Sequence, residues 1–255
     1  MVDYDGRMGS VYAAGRGLAA EVVRRWTGAL AAHLPEERPL SILDLGSGTG
    51  RFTPGLAEEF GGPVYGVEPS DRMRETAEES AAHPTVTYLR GSAEVIPLPE
   101  ASVDGVLMFL SFHHFRDQLK ALEEVRRVLK PGGVAFLRSM FADLMPDLFW
   151  YDYFPSARGV DAGMYLSLDE AKALARAAGL LPDDEAVWVT ADEPRTLRET
   201  SDRLSLRALS TFEHLTQDEM ERGFERLAAA ADREPDKLMP VHPAAMLVLR
   251  RPTTP

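Results

Sequence analysis

Residues 42–52 read ILDLGSGTGRF, an apolar run carrying a single acid that breaks into glycines at positions 46, 48 and 50. The apolar run predicts a strand over Leu40 to Leu45, the glycines a tight turn, and the stretch Arg51 to Phe60 a helix. The same alternation continues on both sides. Upstream, Leu18, Val22, Trp26, Leu30 and Leu34 recur at helical spacing from Gly17 onward, and Pro35 stops the pattern. Downstream, strands are expected at Pro63 to Val67, Thr85 to Leu89, Val103 to Leu110 and Val134 to Arg138, with helices at Ser70 to Ala81 and Asp117 to Leu129. Strands separated by helices imply a parallel sheet covered on both faces. Beyond it, Ser167 with Glu170 opens a helix ended by Gly179, and a strand is expected near Ala186 to Thr190. Thr196 to Asp232 reads as two helices, the second capped by Thr216 with Glu219 completing a capping box, and Ala244 to Leu249 reads as a returning strand.

Composition limits what such a chain can do. Of 255 residues, 45% are hydrophobic and 27% charged, and no apolar stretch approaches the roughly 20 residues of a membrane span. No membrane partner is expected. With no cysteine there is no disulfide, thiolate zinc site or thiol nucleophile. The first residues, MVDYDGRMGS, place acids and glycines where a secretory signal has a basic flank and an apolar core, so a cytoplasmic location is expected. A net charge of −12 disfavours nucleic acid and favours a small molecule. The basic pairs Arg24-Arg25 and Arg126-Arg127, like the acidic pair Glu78-Glu79, read as solvated helix faces.

In an open parallel sheet a ligand sits beyond the carboxyl ends of the strands, where Gly46, Ser47, Gly48 and Gly50 fall, and an adenosine-containing cofactor suits that turn. A dinucleotide fingerprint would need a glycine at position 51, which is Arg51. Glu68, about 20 residues past the first glycines, can accept hydrogen bonds from ribose hydroxyls. Asp44 would repel a pyrophosphate yet suits a ligand with an ammonium and a sulfonium, as in S-adenosylmethionine.

Five segments in order, ILDLGSGTG, VYGVEPS, GSAEVIPLPEASVDGVL, FHHF and EEVRRVLKPGG, resemble the class I S-adenosylmethionine-dependent methyltransferases, in the branch that includes quinone-ring methyltransferases. The resemblance covers roughly residues 40 to 140. It implies a Rossmann-like doubly wound α/β fold with a mostly parallel seven-stranded sheet, an N-terminal helix and a helical insertion before the last strand. The corresponding domains are an N-terminal helical cover (1–38), the cofactor-binding core (39–194 with 241–252) and an inserted acceptor cap (195–240).

Carried over by position, the resemblance sets Asp44, Gly46 and Gly48 against the methionine end of the cofactor and Glu68 on the ribose. It sets Pro69, Ser70 and Met73 beside the adenine, Ser92 and Ala93 at its edge, and Met108 and Phe109 beneath the sulfonium. Position 92 is an aspartate in many members. VYAAGRGL resembles an element that closes the site in some subgroups, which makes Tyr12 and Arg16 candidates to cover the cofactor.

Methyl transfer needs alignment in a dry pocket more than catalytic side chains, and S-adenosylhomocysteine is the product. If the acceptor must lose a proton, His113 and His114, just past the fourth strand, are the candidate catalytic bases; their alternative role is structural. His214 and His242 are read as structural. FWYDYF (149–154) reads either as an aromatic wall over the acceptor or as an apolar lid. No spacing suits a metal, and none is expected. The acceptor is a small, partly apolar molecule methylated on oxygen, nitrogen or carbon, and the protein a monomer or homodimer. Two rivals share the architecture: a cofactor-binding protein without methyl transfer, and a nicotinamide-dependent oxidoreductase.

Overall fold

The structure, a computed structural model, describes residues 18–253. Its centre is a sheet in which β1 (Leu40–Leu45), β2 (Gly61–Glu68), β3 (Val86–Arg90), β4 (Val103–Phe109) and β5 (Leu129–Arg138) pair in parallel, while β8 (Ala244–Arg250) runs antiparallel to β5. The order is β3-β2-β1-β4-β5-β8, so the chain reverses its winding direction between β1 and β4. That reversal leaves a crevice at the carboxyl ends of those two strands.

Burial on both faces explains why the strands read as continuous apolar runs. In β1, Ile42 packs with Trp26, Leu30, Leu56 and Phe60, while Leu43 and Leu45 pack on the opposite side with Leu122, Val125 and Ala171. The first layer comes from α1 (Ala20–Ala31) and α2 (Thr53–Phe60), the second from α4 (Gln118–Val128) and α6 (Leu168–Ala177). The remaining sheet helix, α3 (Asp71–Ser80), is capped by Ser70, whose hydroxyl accepts from Met73 N–H.

The sheet has eight strands rather than the expected seven, because its last edge is in two pieces. β6 (Leu181–Pro182) and β7 (Val187–Val189) both pair with β8. Past Pro182, Asp183 N–H still donates to the Val248 carbonyl at 2.9 Å and its carboxylate pairs with Arg250 at 3.0 Å; the chain then bends at Asp184 and Glu185 and rejoins β8 at Val187. Arg127 also differs from its expected solvated role: its guanidinium donates to Glu124 and to the carbonyls of Ile96 and Leu98, pinning the loop after β3. At LKPGG the β4–β5 register shifts between Val103 and Gly105, and Lys130 pairs with Asp104 at 2.9 Å.

A separate apolar cluster forms the cover. Trp150, Tyr151, Phe154 and Ala157 pack with Leu197, Leu204, Phe212, Leu215 and Leu227. The cover therefore draws on α5 (Ala157–Met164) and the turn before it as well as on α7 (Leu197–Ser205) and α8 (Gln217–Arg233). A segment assigned to the core by position thus packs with the insertion. The capping box at Ser167 forms in full, and a second one forms at Thr196 with Glu199. At Thr216 only half of it does: the hydroxyl caps Glu219 N–H, but the Glu219 carboxylate accepts from Ser156 N–H at 2.8 Å, tying the two halves of the cover together.

Candidate functional site

The glycine turn has the backbone its sequence demanded. Gly46, Gly48 and Gly50 have φ of 74°, 56° and 73°. Side chains are excluded by packing as well: a Cβ on Gly46 would lie 2.6 Å from Ser111 Cβ, and one on Gly50 would lie 2.3 Å from the Tyr88 hydroxyl. Ser47 buries its hydroxyl beside Gly66, without a hydrogen-bond partner among the described residues, so only its backbone faces outward from the turn.

Glu68 closes this turn from β2. Its Oε2 accepts from Gly48 N–H at 3.0 Å and its Oε1 from Ser70 N–H at 2.9 Å, which fixes the carboxylate at the strand end. A carboxylate oxygen can accept two hydrogen bonds, so this geometry suits a pair of vicinal hydroxyls. Asp44, at the end of β1, is buried and accepts from Thr53 Oγ1 at 2.7 Å. Burial raises its pKa from 3.8 to about 6 against the opposing effects of the Thr53 hydroxyl and the Arg51 guanidinium. A cation bound beside this carboxyl would favour its ionised form, which is the complement a sulfonium or ammonium provides.

The other expected cofactor contacts are placed less uniformly. Pro69 is exposed, Met73 is buried under α3, and Ser92 forms an isolated bridge with Val95 beside the buried Ala93. Met108 is fully buried on the α4 side, so it can offer a ligand only backbone. Phe109 points to the other face, stacked against Phe52 with ring centroids 4.1 Å apart and edge-on to Trp26 at 5.1 Å. Leu110 then takes a φ of 55°, turning the chain sharply at the strand end. Tyr12 and Arg16 lie outside the described residues.

Beside Phe109 and Leu110 a recess of about 350 Å³ opens between sheet and cover, walled also by Trp26, Arg195, Leu204 and His242. His113 and His114 occupy a single turn past β4, their rings 3.9 Å apart, with His113 against Tyr165 at 4.7 Å. Neither is among the residues lining this recess, whereas His242, assigned a structural role from sequence, is. His214 is exposed. The aromatic stretch resolves largely as a lid, since Trp150, Tyr151 and Phe154 turn into the cover's own core and Phe149 alone lines an adjoining chamber. Among the described residues no group of three or more histidine or acidic side chains could hold a metal, and no helix is long and apolar enough to cross a membrane.

Comparison with known proteins bears on the fold and the family. Residues 43–137 match the family model described as a methyltransferase domain. An uncharacterised methyltransferase of Mycobacterium tuberculosis is 45% identical over 92 residues, 36% of either chain. A demethylmenaquinone methyltransferase of Lactococcus lactis is 39% identical over 99 residues, 37% of this chain and 39% of that one. The matched stretch thus spans well under half the length of these relatives. Among solved structures, a candidate methyltransferase from an antibiotic biosynthesis pathway of Anabaena variabilis superposes with a TM-score of 0.71 at 27% identity, covering 91% of this chain and 99% of that one. Residues 43–137 belong to the methyltransferase domain family, on a fold shared with S-adenosylmethionine-dependent methyltransferases.

Proposed function

We propose that the chain transfers the methyl group of S-adenosylmethionine to an oxygen, nitrogen or carbon of a small, partly apolar molecule lodged between the sheet and the helical cover. The observation that carries this reading is the recess itself, which opens at Phe109 and Arg51, beside the strand ends where the glycine turn and Glu68 stand. The demethylmenaquinone methyltransferases among the relatives support a flat, partly apolar acceptor.

Bound S-adenosylmethionine supplies a sulfonium-activated methyl group and leaves as S-adenosylhomocysteine. Glu68 holds the ribose, Asp44 offsets positive charge at the methionine end, and the backbone of the glycine turn sets the depth of the cofactor. Trp26, Phe109, Leu204 and Leu209 exclude water from the recess. For an acceptor that must lose a proton, His113 or His114 is the candidate base only where the acceptor reaches past the end of β4 to their turn, since neither lines the recess itself. Alanine at whichever of the two is the base is expected to lower turnover on the order of 100-fold at saturating cofactor. Unchanged turnover in both variants, with the melting temperature alone reduced, removes them from the chemistry.

Asp44 gives the cofactor affinity a pH dependence. Below about 6 the free protein holds this carboxyl protonated, and a cationic ligand must displace that proton. Affinity for S-adenosylmethionine is therefore expected to be flat above pH 7 and to fall by up to about tenfold per unit below 6. The stability of the ligand-free fold has the opposite sign. Folding takes up a proton at Asp44 between pH 3.8 and about 6, so this group's contribution declines as pH rises through that window. Calorimetric titrations from pH 5 to 8, with Asp44→Asn as the variant lacking the group, check the assignment; a wild-type affinity flat across the range contradicts it.

Turnover with a methyl-labelled donor across hydroxyl, amine and activated-carbon acceptors tests the activity directly. Cofactor binding without any product would leave a binding protein, and binding of NADH in place of S-adenosylmethionine would leave an oxidoreductase.

A further inference from the structure

Few of the described groups around the recess can take a proton. Most of its polar lining residues are arginines, Arg51, Arg138, Arg195 and Arg203, and a guanidinium only donates. Thr200 donates its hydroxyl to the Thr196 carbonyl at 2.8 Å, and Asp192 is exposed to solvent. That leaves His242. Its Nε2 is buried with no hydrogen-bond partner among the described residues, and the residue lines both this recess and the adjoining chamber of about 260 Å³. A buried polar atom left unpaired costs free energy that a hydrogen-bonding occupant of the space offsets.

The chain around this ring is anchored on both sides. Upstream, Thr196 bridges to Leu238 and Met239 N–H donates to the Arg195 carbonyl at 2.8 Å; downstream, Ala244 pairs with Val189 in the sheet. Only Pro240, Val241, His242 and Pro243 lie between these anchors, and the two prolines fix their own φ and bring no N–H to the wall. In the tautomer protonated on Nδ1, Nε2 offers a lone pair, so its complement is an O–H or N–H. Trp26, Leu148, Leu204 and Leu209 supply apolar walls, and a space of about 350 Å³ suits a small ring compound. Among protic groups on such a body, a phenol, whose pKa is about 10 as in tyrosine, yields its proton to an imidazole more readily than an alkanol does. A neutral amine attacks without losing a proton first.

We infer that His242 is the catalytic base of this recess: its Nε2 accepts the hydrogen bond of a phenolic hydroxyl on the acceptor and takes that proton as an oxygen lone pair bonds to the methyl carbon. The carbon–sulfur electron pair stays with sulfur, the phenol becomes its methyl ether, and the imidazolium returns its proton to water as the product leaves. This inference rests on reading the recess as the acceptor site, but half of its test needs no methyl transfer. The full chain, saturated with S-adenosylhomocysteine, is titrated by calorimetry with phenol, 4-ethylphenol and 4-hydroxyacetophenone, each paired with its methyl ether. At least one phenol is expected to bind about tenfold or more tightly than its ether. His242→Leu is expected to abolish that preference, while His242→Gln, whose amide oxygen accepts a hydrogen bond but cannot take the proton, retains part of it. With S-adenosylmethionine, His242→Gln is expected to lose kcat for the phenol on the order of 100-fold while KM changes a few-fold. Affinity for S-adenosylhomocysteine is expected to be unchanged in both variants, which shows that they fold.

Ethers that bind as tightly as the phenols, no binding of any phenol at millimolar concentration, or a preference that survives in His242→Leu overturns the inference. So does wild-type turnover of a phenol in His242→Gln, and so does an equal loss of turnover in Asp192→Asn, which would send the proton to that carboxylate. Phenol turnover that alanine at His113 or His114 abolishes and His242→Gln leaves intact returns the base to the turn past β4. Methylation of amines or carbon acids with none of phenols overturns this inference and leaves the proposed function standing. Failure of S-adenosylhomocysteine to bind the wild type instead strikes the proposed function, and the phenol–ether comparison in its absence still decides whether His242 is the contact.

Discussion

Replacing Glu68 with alanine is expected to weaken binding of S-adenosylhomocysteine on the order of 100-fold. Two effects add. The ribose loses a charged acceptor for its hydroxyls, and hydrogen bonds to a charged group contribute about 1.5–3 kcal/mol each. The site also loses its internal brace, because the same carboxylate accepts from Gly48 N–H at 3.0 Å in the glycine turn and from Ser70 N–H at 2.9 Å at the cap of α3. Those two amides are left without their carboxylate, at a stability cost of about 1–3 kcal/mol. Glu68→Gln separates the effects: it keeps the shape and one acceptor oxygen, and is expected to lose about tenfold in affinity with a smaller drop in melting temperature. Calorimetry for affinity and circular dichroism for melting read the two apart. An alanine variant with wild-type affinity would falsify the placement of the ribose at this carboxylate.

The parts of the molecule legible in its sequence are those whose signal is local. β1 and β4 are buried on both faces, so Leu40–Leu45 and Val103–Phe109 appear as apolar runs with ends correct to a residue. The glycine turn was legible because its three positive φ values exclude most other residues. The capping box at Ser167 was legible because both of its bonds close within four residues. The identical spacing at Thr216 misled, since the Glu219 carboxylate found Ser156, 63 positions away, instead of its own helix start. The edge strand breaks at the bend of Asp184 and Glu185, and its first piece is held by pairing with β8, where Asp183 meets Arg250, 67 positions away.

The recess lay beyond sequence reading for the same reason. Its walls come from α1, from the ends of β4 and β5, from the cover and from the connection into β8. Arginines scattered at 51, 138, 195 and 203 look like ordinary solvated charges in any window of the chain. Only the fold collects them around Phe109, and only the fold turns His242 from a histidine in a proline-flanked connection into part of a wall. His113 and His114 drew attention because they are adjacent in sequence and follow β4. Among the described residues His113 packs against Tyr165, the residue that ends α5.

Phe154→Ala is expected to be the most destabilising single change in the cover, at about 3–5 kcal/mol. The ring is fully buried and meets Trp150, Phe212 and Phe224 with centroids 6.1, 5.2 and 4.9 Å away. The sequence around it is shaped to admit it. Gly223 stands inside α8, where glycine costs about 1 kcal/mol relative to alanine, because a Cβ there would lie 2.3 Å from the Phe154 ring. Removing the ring leaves a cavity at the join between the 149–164 segment and the inserted helices, since Phe154 belongs to the cover's apolar cluster and to neither cluster of the sheet. Glu68, Asp44 and the glycine turn lie in the sheet core and keep their packing. Affinity for S-adenosylhomocysteine is therefore expected to stay within a few-fold of wild type, while kcat/KM for any acceptor falls on the order of 100-fold as Arg195, Arg203 and Leu204 lose their fixed positions. Melting followed by near-ultraviolet circular dichroism should show an early transition from the cover's aromatic residues ahead of the main one. A single cooperative transition, with cofactor affinity lost in step, would mean that cover and core stand or fall together and that the recess is a feature of one indivisible unit.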